Sequence, residues 1–138
     1  MKLYHGSDNQ KLMLKPVKSG KGYHPGSGPV EFLGPSFSDD KETAGSYGKY
    51  IFEIEFTPKK SRKYRSLNAL KNDIIKIFGL PSSGHNVGDY YRDIADSYRV
   101  KLLSEGYDVV IFPEGMKTAP NKNKAITVIL LNIDSFPT

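Results

Sequence analysis

At 138 residues and 15.4 kDa, the chain is long enough for one hydrophobic core and too short for two domains of ordinary size, so residues 1–138 read as one domain. An aromatic content of 12% argues against a disordered chain, and the absence of Cys excludes disulfides and thiolate metal sites. Twenty Lys and Arg against 15 Asp and Glu leave a net charge of +5, which suits an acidic partner but serves solubility as well.

In chain order, Lys2 to Tyr4 predicts a short strand that runs into a turn at His5-Gly6-Ser7-Asp8. Residues 18–29, rich in Gly and Pro, predict a loop. Val30 to Phe37 predicts an extended segment broken at Gly34-Pro35. Asp39-Asp40 then offers a helix N-cap with Glu42 in the first turn, for a short helix from Lys41 to about Tyr47 ending at Gly48. Tyr50, Phe52, Ile54 and Phe56 alternate with Ile51, Glu53 and Glu55, as in a half-buried strand. Leu67, Leu70, Ile74 and Ile77 recur at helical spacing, and Gly79 with Pro81 closes that helix. Tyr91, Ile94, Ala95, Tyr98 and Leu102 define a longer helix ending at Gly106. Val109 to Phe112 predicts a buried strand, residues 116–124 a Lys- and Asn-rich loop, and Ala125 to Ile133 a central strand. The order is that of a mixed α+β domain.

Lys59, Lys60, Arg62, Lys63 and Arg65 place five positive charges in seven residues, and Lys117, Lys122 and Lys124 form a second basic loop. Such runs engage phosphates or simply stay solvated. No apolar run reaches membrane-spanning length, and Met1-Lys2-Leu3-Tyr4-His5 lacks the apolar stretch of a signal peptide. His5, His24 and His85 show no metal-ligand spacing, so no metal site is expected.

Two short segments carry chemistry. A His that ends a strand, as in His5-Gly6-Ser7, can hold its ring edge over a pocket, and the Gly lets a ligand approach the backbone. A turn histidine is the plainer alternative. In Ser36-Phe37-Ser38 a strand carries hydroxyls and a ring, and Tyr47 follows on the short helix. Phe37 and Tyr47 either clamp a planar cation between their faces or belong to the core.

Read in order, these segments resemble the His-Tyr-Glu class of ADP-ribosyltransferases, the diphtheria-toxin and poly(ADP-ribose) polymerase-like class, in a small bacterial or phage form. His5-Gly6-Ser7 is similar to its first motif, and Gly34-Pro35-Ser36-Phe37-Ser38-Asp39 to its second. Thr43-Ala44-Gly45-Ser46-Tyr47 is similar to the helix that brings a second stacking tyrosine. Gly106-Tyr107-Asp108-Val109-Val110 and Val128-Ile129-Leu130-Leu131-Asn132-Ile133 match the C-terminal strands. The sequence departs from the class twice: Ser36 stands at the first stacking tyrosine, and Thr127 at the catalytic glutamate.

The resemblance implies two small packed antiparallel or mixed sheets with flanking helices around an NAD cleft. It implies NAD as co-substrate, bound by His5, Gly6, Ser7, Ser36, Phe37, Ser38 and Tyr47, with His5 and Thr127 at the catalytic positions. Glu114, at the end of Phe112-Pro113-Glu114, is a candidate replacement carboxylate, with surface solvation as its alternative; Glu31 is a weaker one. The expected activity is mono-ADP-ribosyl transfer to a macromolecular acceptor, a protein, nucleic acid or ribonucleoprotein of acidic character. The expected state is a monomer in the cytoplasm of a producing or target cell, in a toxin or phage-effector role. The alternatives are a degenerate domain that binds NAD, ADP-ribose or a partner without chemistry, and a nucleic-acid-binding module resting on the basic runs.

Overall fold

A computed structural model of the chain describes residues 1–8, 10, 28–82, 87–113 and 125–132. The expected loop at residues 116–124 and positions 18–27 of the loop expected at 18–29 lie outside these, as do Glu114, His24 and His85 and the side chain of Glu31.

The strands are β1 (Lys2–Ser7), β2 (Ser36–Ser38), β3 (Tyr50–Glu55), β4 (Ser61–Lys63), β5 (Val109–Pro113) and β6 (Ile126–Leu130). The helices are α1 (Lys41–Gly45), α2 (Leu67–Phe78) and α3 (Val87–Ser104), with a 3-10 helix at Gly28–Phe32. This is an α+β arrangement with one mixed sheet of six strands in the order β3-β1-β2-β6-β5-β4. Among the described residues, only β4 and β5 run parallel; the other neighbours are antiparallel.

The expectation of two packed sheets is corrected among the described residues, and the cause is β2. This strand of three residues pairs on one side with β1 at Tyr4↔Ser38 and on the other with β6 from Ser36↔Ile129 to Ser38↔Thr127. A strand bonded along both edges joins the two halves into one surface rather than letting one stack on the other. Asp39 extends the join, because its carboxylate accepts from the Ile126 N–H at 2.8 Å and its own N–H donates to the Ile126 carbonyl.

Side chains on a strand alternate between faces. One face presents Val110, Phe112, Ile129 and Leu131, which cluster with Leu70 and Ile74 of α2, with Tyr91, Ile94, Ala95, Tyr98 and Leu102 of α3, and with Phe32 and Leu33. The opposite face presents Leu3, Phe37, Val109, Val128 and Leu130. Arg99 of α3 donates to the Phe32 and Leu33 carbonyls, which ties the 3-10 helix to the long helix.

Most helix signals hold. The Asp40 carboxylate accepts from the Thr43 N–H at 3.0 Å and caps α1, and the Ser66 hydroxyl accepts from Ala69 and caps α2. Gly79, at φ 89°, ends α2 in a region that suits glycine. Among the described residues, no helix is long and apolar enough to cross a membrane.

Five local expectations are corrected. β1 continues through His5-Gly6-Ser7, because β3 pairs with it residue by residue as far as Ser7↔Tyr50. Gly28–Phe32 coils into the 3-10 helix, taking in the end of the expected 18–29 loop and the start of the segment expected to extend from Val30. Helix α1 stops at Gly45 with Ser46 as its C-cap, before Tyr47 and Gly48. Ile77, read as part of the apolar stripe of α2, is 46% exposed. The basic run contains a strand, β4, whose pairing with β5 overrides its polar composition.

Candidate functional site

The first two motifs lie on neighbouring strands. The register set by Tyr4↔Ser38 brings His5 opposite Phe37, and their ring centroids are 5.2 Å apart at 51°. His5 Nδ1 lies 2.7 Å from the Ser36 carbonyl oxygen. A carbonyl oxygen only accepts, so Nδ1 carries the proton. In the neutral ring the lone pair then sits on Nε2, ready to accept a hydrogen bond from a hydroxyl. His5 is half-buried and Ser36 is exposed, so the pair borders solvent.

Gly6 serves a different purpose from the one its sequence suggests. A Cβ there would stand 1.8 Å from the Ala44 carbonyl oxygen and 3.3 Å from Tyr47 Cβ. Helix α1 therefore closes over this residue, and its missing side chain makes room for the helix rather than for a ligand on that side. Tyr47 lies over the same face as Gly6 and is 54% exposed. His5 and Phe37 point to the opposite face, where Phe37 is 2% exposed within the Leu3–Val128–Leu130 cluster. The Phe37 and Tyr47 rings therefore do not face one another as the two sides of a clamp.

The remaining positions divide in the same way. Ser7 ends β1, half-buried. Ser38 is buried, and its hydroxyl accepts from the Asp40 N–H at 3.1 Å, which commits it to the turn into α1. Thr127 is buried on β6, opposite Ser38 on one side and Phe112 on the other, on the face away from His5. The structure thus brings His5, Ser36 and Phe37 together, sets Gly6 and Tyr47 beside one another under α1, and holds Thr127 one strand further in.

No family model matches the chain, and no curated protein matches it. Among solved structures, one described as the crystal structure of an anti-CRISPR protein is similar to it, with 16% sequence identity, a TM-score of 0.41, and coverage of 94% of this chain and 88% of that one.

A second polar cluster was not legible in the sequence. Tyr64, just after β4, donates its hydroxyl to Asp73 Oδ2 of α2 at 2.6 Å, and Tyr98 of α3 donates to the same oxygen at 3.0 Å. The two hydroxyls also touch each other. The Arg62 guanidinium approaches Asp73 at 3.7 Å and lies 4.8 Å from the Tyr64 ring centroid. Burial first, then the bond to Asp73, raises the Tyr64 hydroxyl well above the ordinary tyrosine range. Burial likewise raises Tyr98. The hydrogen bond from Tyr64, with Tyr98 and Arg62 behind it, holds Asp73 below the ordinary carboxylate value. Tyr64 and Tyr98 lie 9 and 25 positions from Asp73 and on separate segments, so no periodic spacing within one element signals the cluster.

Proposed function

We propose that this chain is an NAD-dependent mono-ADP-ribosyltransferase that releases nicotinamide and passes ADP-ribose to a macromolecular acceptor of acidic character. The observation that carries the reading is the bond from His5 Nδ1 to the Ser36 carbonyl at 2.7 Å. It links the two segments that resemble the NAD-binding motifs of the class and leaves Nε2 as an acceptor for a ribose hydroxyl.

The residues present fit the ribosyl part of NAD better than its nicotinamide end. His5 is held by Ser36 and flanked by the Phe37 ring, so its orientation costs little entropy when a hydroxyl binds. Ser36 is exposed beside it, while Tyr47, 54% exposed, lies on the other face of the sheet beside Gly6. NAD, when bound, supplies the ADP-ribosyl group and the nicotinamide leaving group. A cationic ribosyl centre is stabilised best by a nearby carboxylate, and Thr127 carries no charge, so turnover is expected to be slow.

Two observations favour the alternative, a domain that binds NAD, ADP-ribose or a partner without chemistry. Thr127 stands in the glutamate position, and α1 closes the open side of Gly6.

The test is NAD binding together with nicotinamide release, for the unaltered chain and for His5→Ala. Release that His5→Ala lowers by about tenfold or more, the worth of one lost hydrogen bond, supports the transferase. Binding with no release supports the non-catalytic reading. With neither binding nor release, the NAD reading fails.

A further inference from the structure

We propose that the outer edge of β4 is a docking site for an extended, acidic polypeptide segment. This does not depend on NAD or on any transfer reaction.

Strand β4 ends the sheet, with β5 on one side and no strand on the other among the described residues. Its ladder fixes which backbone groups are spent. The Tyr64 N–H donates to the Ile111 carbonyl at 2.9 Å, and the Lys60 carbonyl accepts from Asp108 at 3.0 Å. Residues 60, 62 and 64 therefore turn toward β5. By alternation, the N–H and C=O groups of Ser61 and Lys63 turn to the open edge. An extended chain can pair with such groups as an added strand.

The cations around this edge fall into two sets. Lys60 is spent, since its ammonium donates to the Glu105 carbonyl at 2.8 Å and lies 4.3 Å from the Tyr107 ring centroid. Arg62 is spent on Asp73 and the Tyr64 ring. Lys59, Lys63 and Arg65 are exposed, and among the described residues their side chains meet no acidic partner. The Asp108 carboxylate, beside the start of the strand, is occupied by the N–H groups of Lys59 and Lys60 at 2.8 and 3.1 Å. Among the described residues, three cations without an acidic partner thus flank two backbone positions that no strand pairs.

A nucleic acid would meet the same charges, but the tyrosines of this edge do not serve it. Tyr64 is covered by Arg62 and its hydroxyl is committed to Asp73, while Tyr107 is covered by Lys60. Among the described residues, both tyrosines of the patch already hold a cation against the ring, and the outward N–H and C=O groups of the edge pair with a polypeptide backbone, which a nucleic acid lacks. Cations on an edge strand can also act purely to keep other strands away, and the experiment separates that role from docking.

The test is fluorescence anisotropy on the full chain. The probes are a labelled peptide of alternating Glu and Thr, the same peptide N-methylated on every second residue in either phase, and single-stranded oligothymidylate. The expected result is binding of the Glu–Thr peptide that weakens with added salt, that falls at least about tenfold in a Lys59→Glu/Lys63→Glu/Arg65→Glu variant, and that N-methylation in one phase abolishes. The substituted side chains are exposed and, among the described residues, without an acidic partner, so the variant is expected to keep the melting temperature of the unaltered chain. Equal binding of the methylated and unmethylated peptides, or tighter binding of oligothymidylate, would overturn the proposal in favour of a general anion surface. Binding of no probe would also overturn it and leave the cations as guards of the edge.

Discussion

His5 Nδ1 and the Ser36 carbonyl oxygen stand 2.7 Å apart across the β1–β2 pair, joining positions 31 residues apart in the chain. This bond selects one tautomer of the neutral ring. Nitrogen-15 NMR of the neutral imidazole should show Nδ1 as the protonated nitrogen and Nε2 as the bare one. The reverse pattern would remove the acceptor on which the proposed ribose contact depends.

Gly6 separates a structural role from a ligand-facing one. In Gly6→Ala the new methyl meets the Ala44 carbonyl oxygen at 1.8 Å, so α1 must shift. Thermal unfolding should register a loss of about 1–3 kcal/mol, the usual cost of overfilling a close contact. Unchanged stability with lost NAD binding would return the residue to the ligand.

The Tyr64–Asp73–Tyr98 cluster gives stability a pH profile with two shoulders. Asp73 has a lowered pKa when folded, so its contribution is present above the ordinary value of 3.8 and is lost as pH falls through the folded value. Tyr64 and Tyr98 have raised pKa values when folded, so stability is intact below the ordinary value of 10.0 and drains away as pH climbs above it. Denaturation midpoints measured across pH should therefore fall at both ends. A Tyr64→Phe variant should show the smaller alkaline decline.

Removing the shared acceptor should cost more than removing one donor. Asp73→Ala leaves two tyrosine hydroxyls without their common partner, for a loss of about 1–3 kcal/mol by urea titration. Tyr64→Phe takes away one hydroxyl but leaves the bond from Tyr98 to Asp73, and a loss of about 1 kcal/mol is expected.

Helix α2 can be checked for which way it faces. Ile74 is fully buried and Ile77 is 46% exposed. Ile74→Ala should cost about 2–4 kcal/mol and Ile77→Ala less than about 1 kcal/mol in chemical denaturation. Equal costs would mean that the helix is turned about its axis.

The sequence by itself determined the elements whose signals are local. Alternation in residues 50–56 wrote β3, the stripe from Tyr91 to Leu102 wrote α3, and Ser66 and Asp40 marked helix starts through side chains that reach only three residues on. The His5 and Ser36–Ser38 motifs were also visible as residues. Their facing was not, because it depends on register with another strand: a shift of one position sends every side chain to the other side. Only the tertiary structure decided that β2 fuses the halves into one sheet, that His5 with Phe37 and Gly6 with Tyr47 look to opposite faces, and that α1 fills the space above Gly6. It alone drew the basic run into an edge strand and gathered Tyr64, Asp73 and Tyr98 around one carboxylate oxygen. Pairing and burial act between residues tens of positions apart, and no pattern within a single stretch of chain records them.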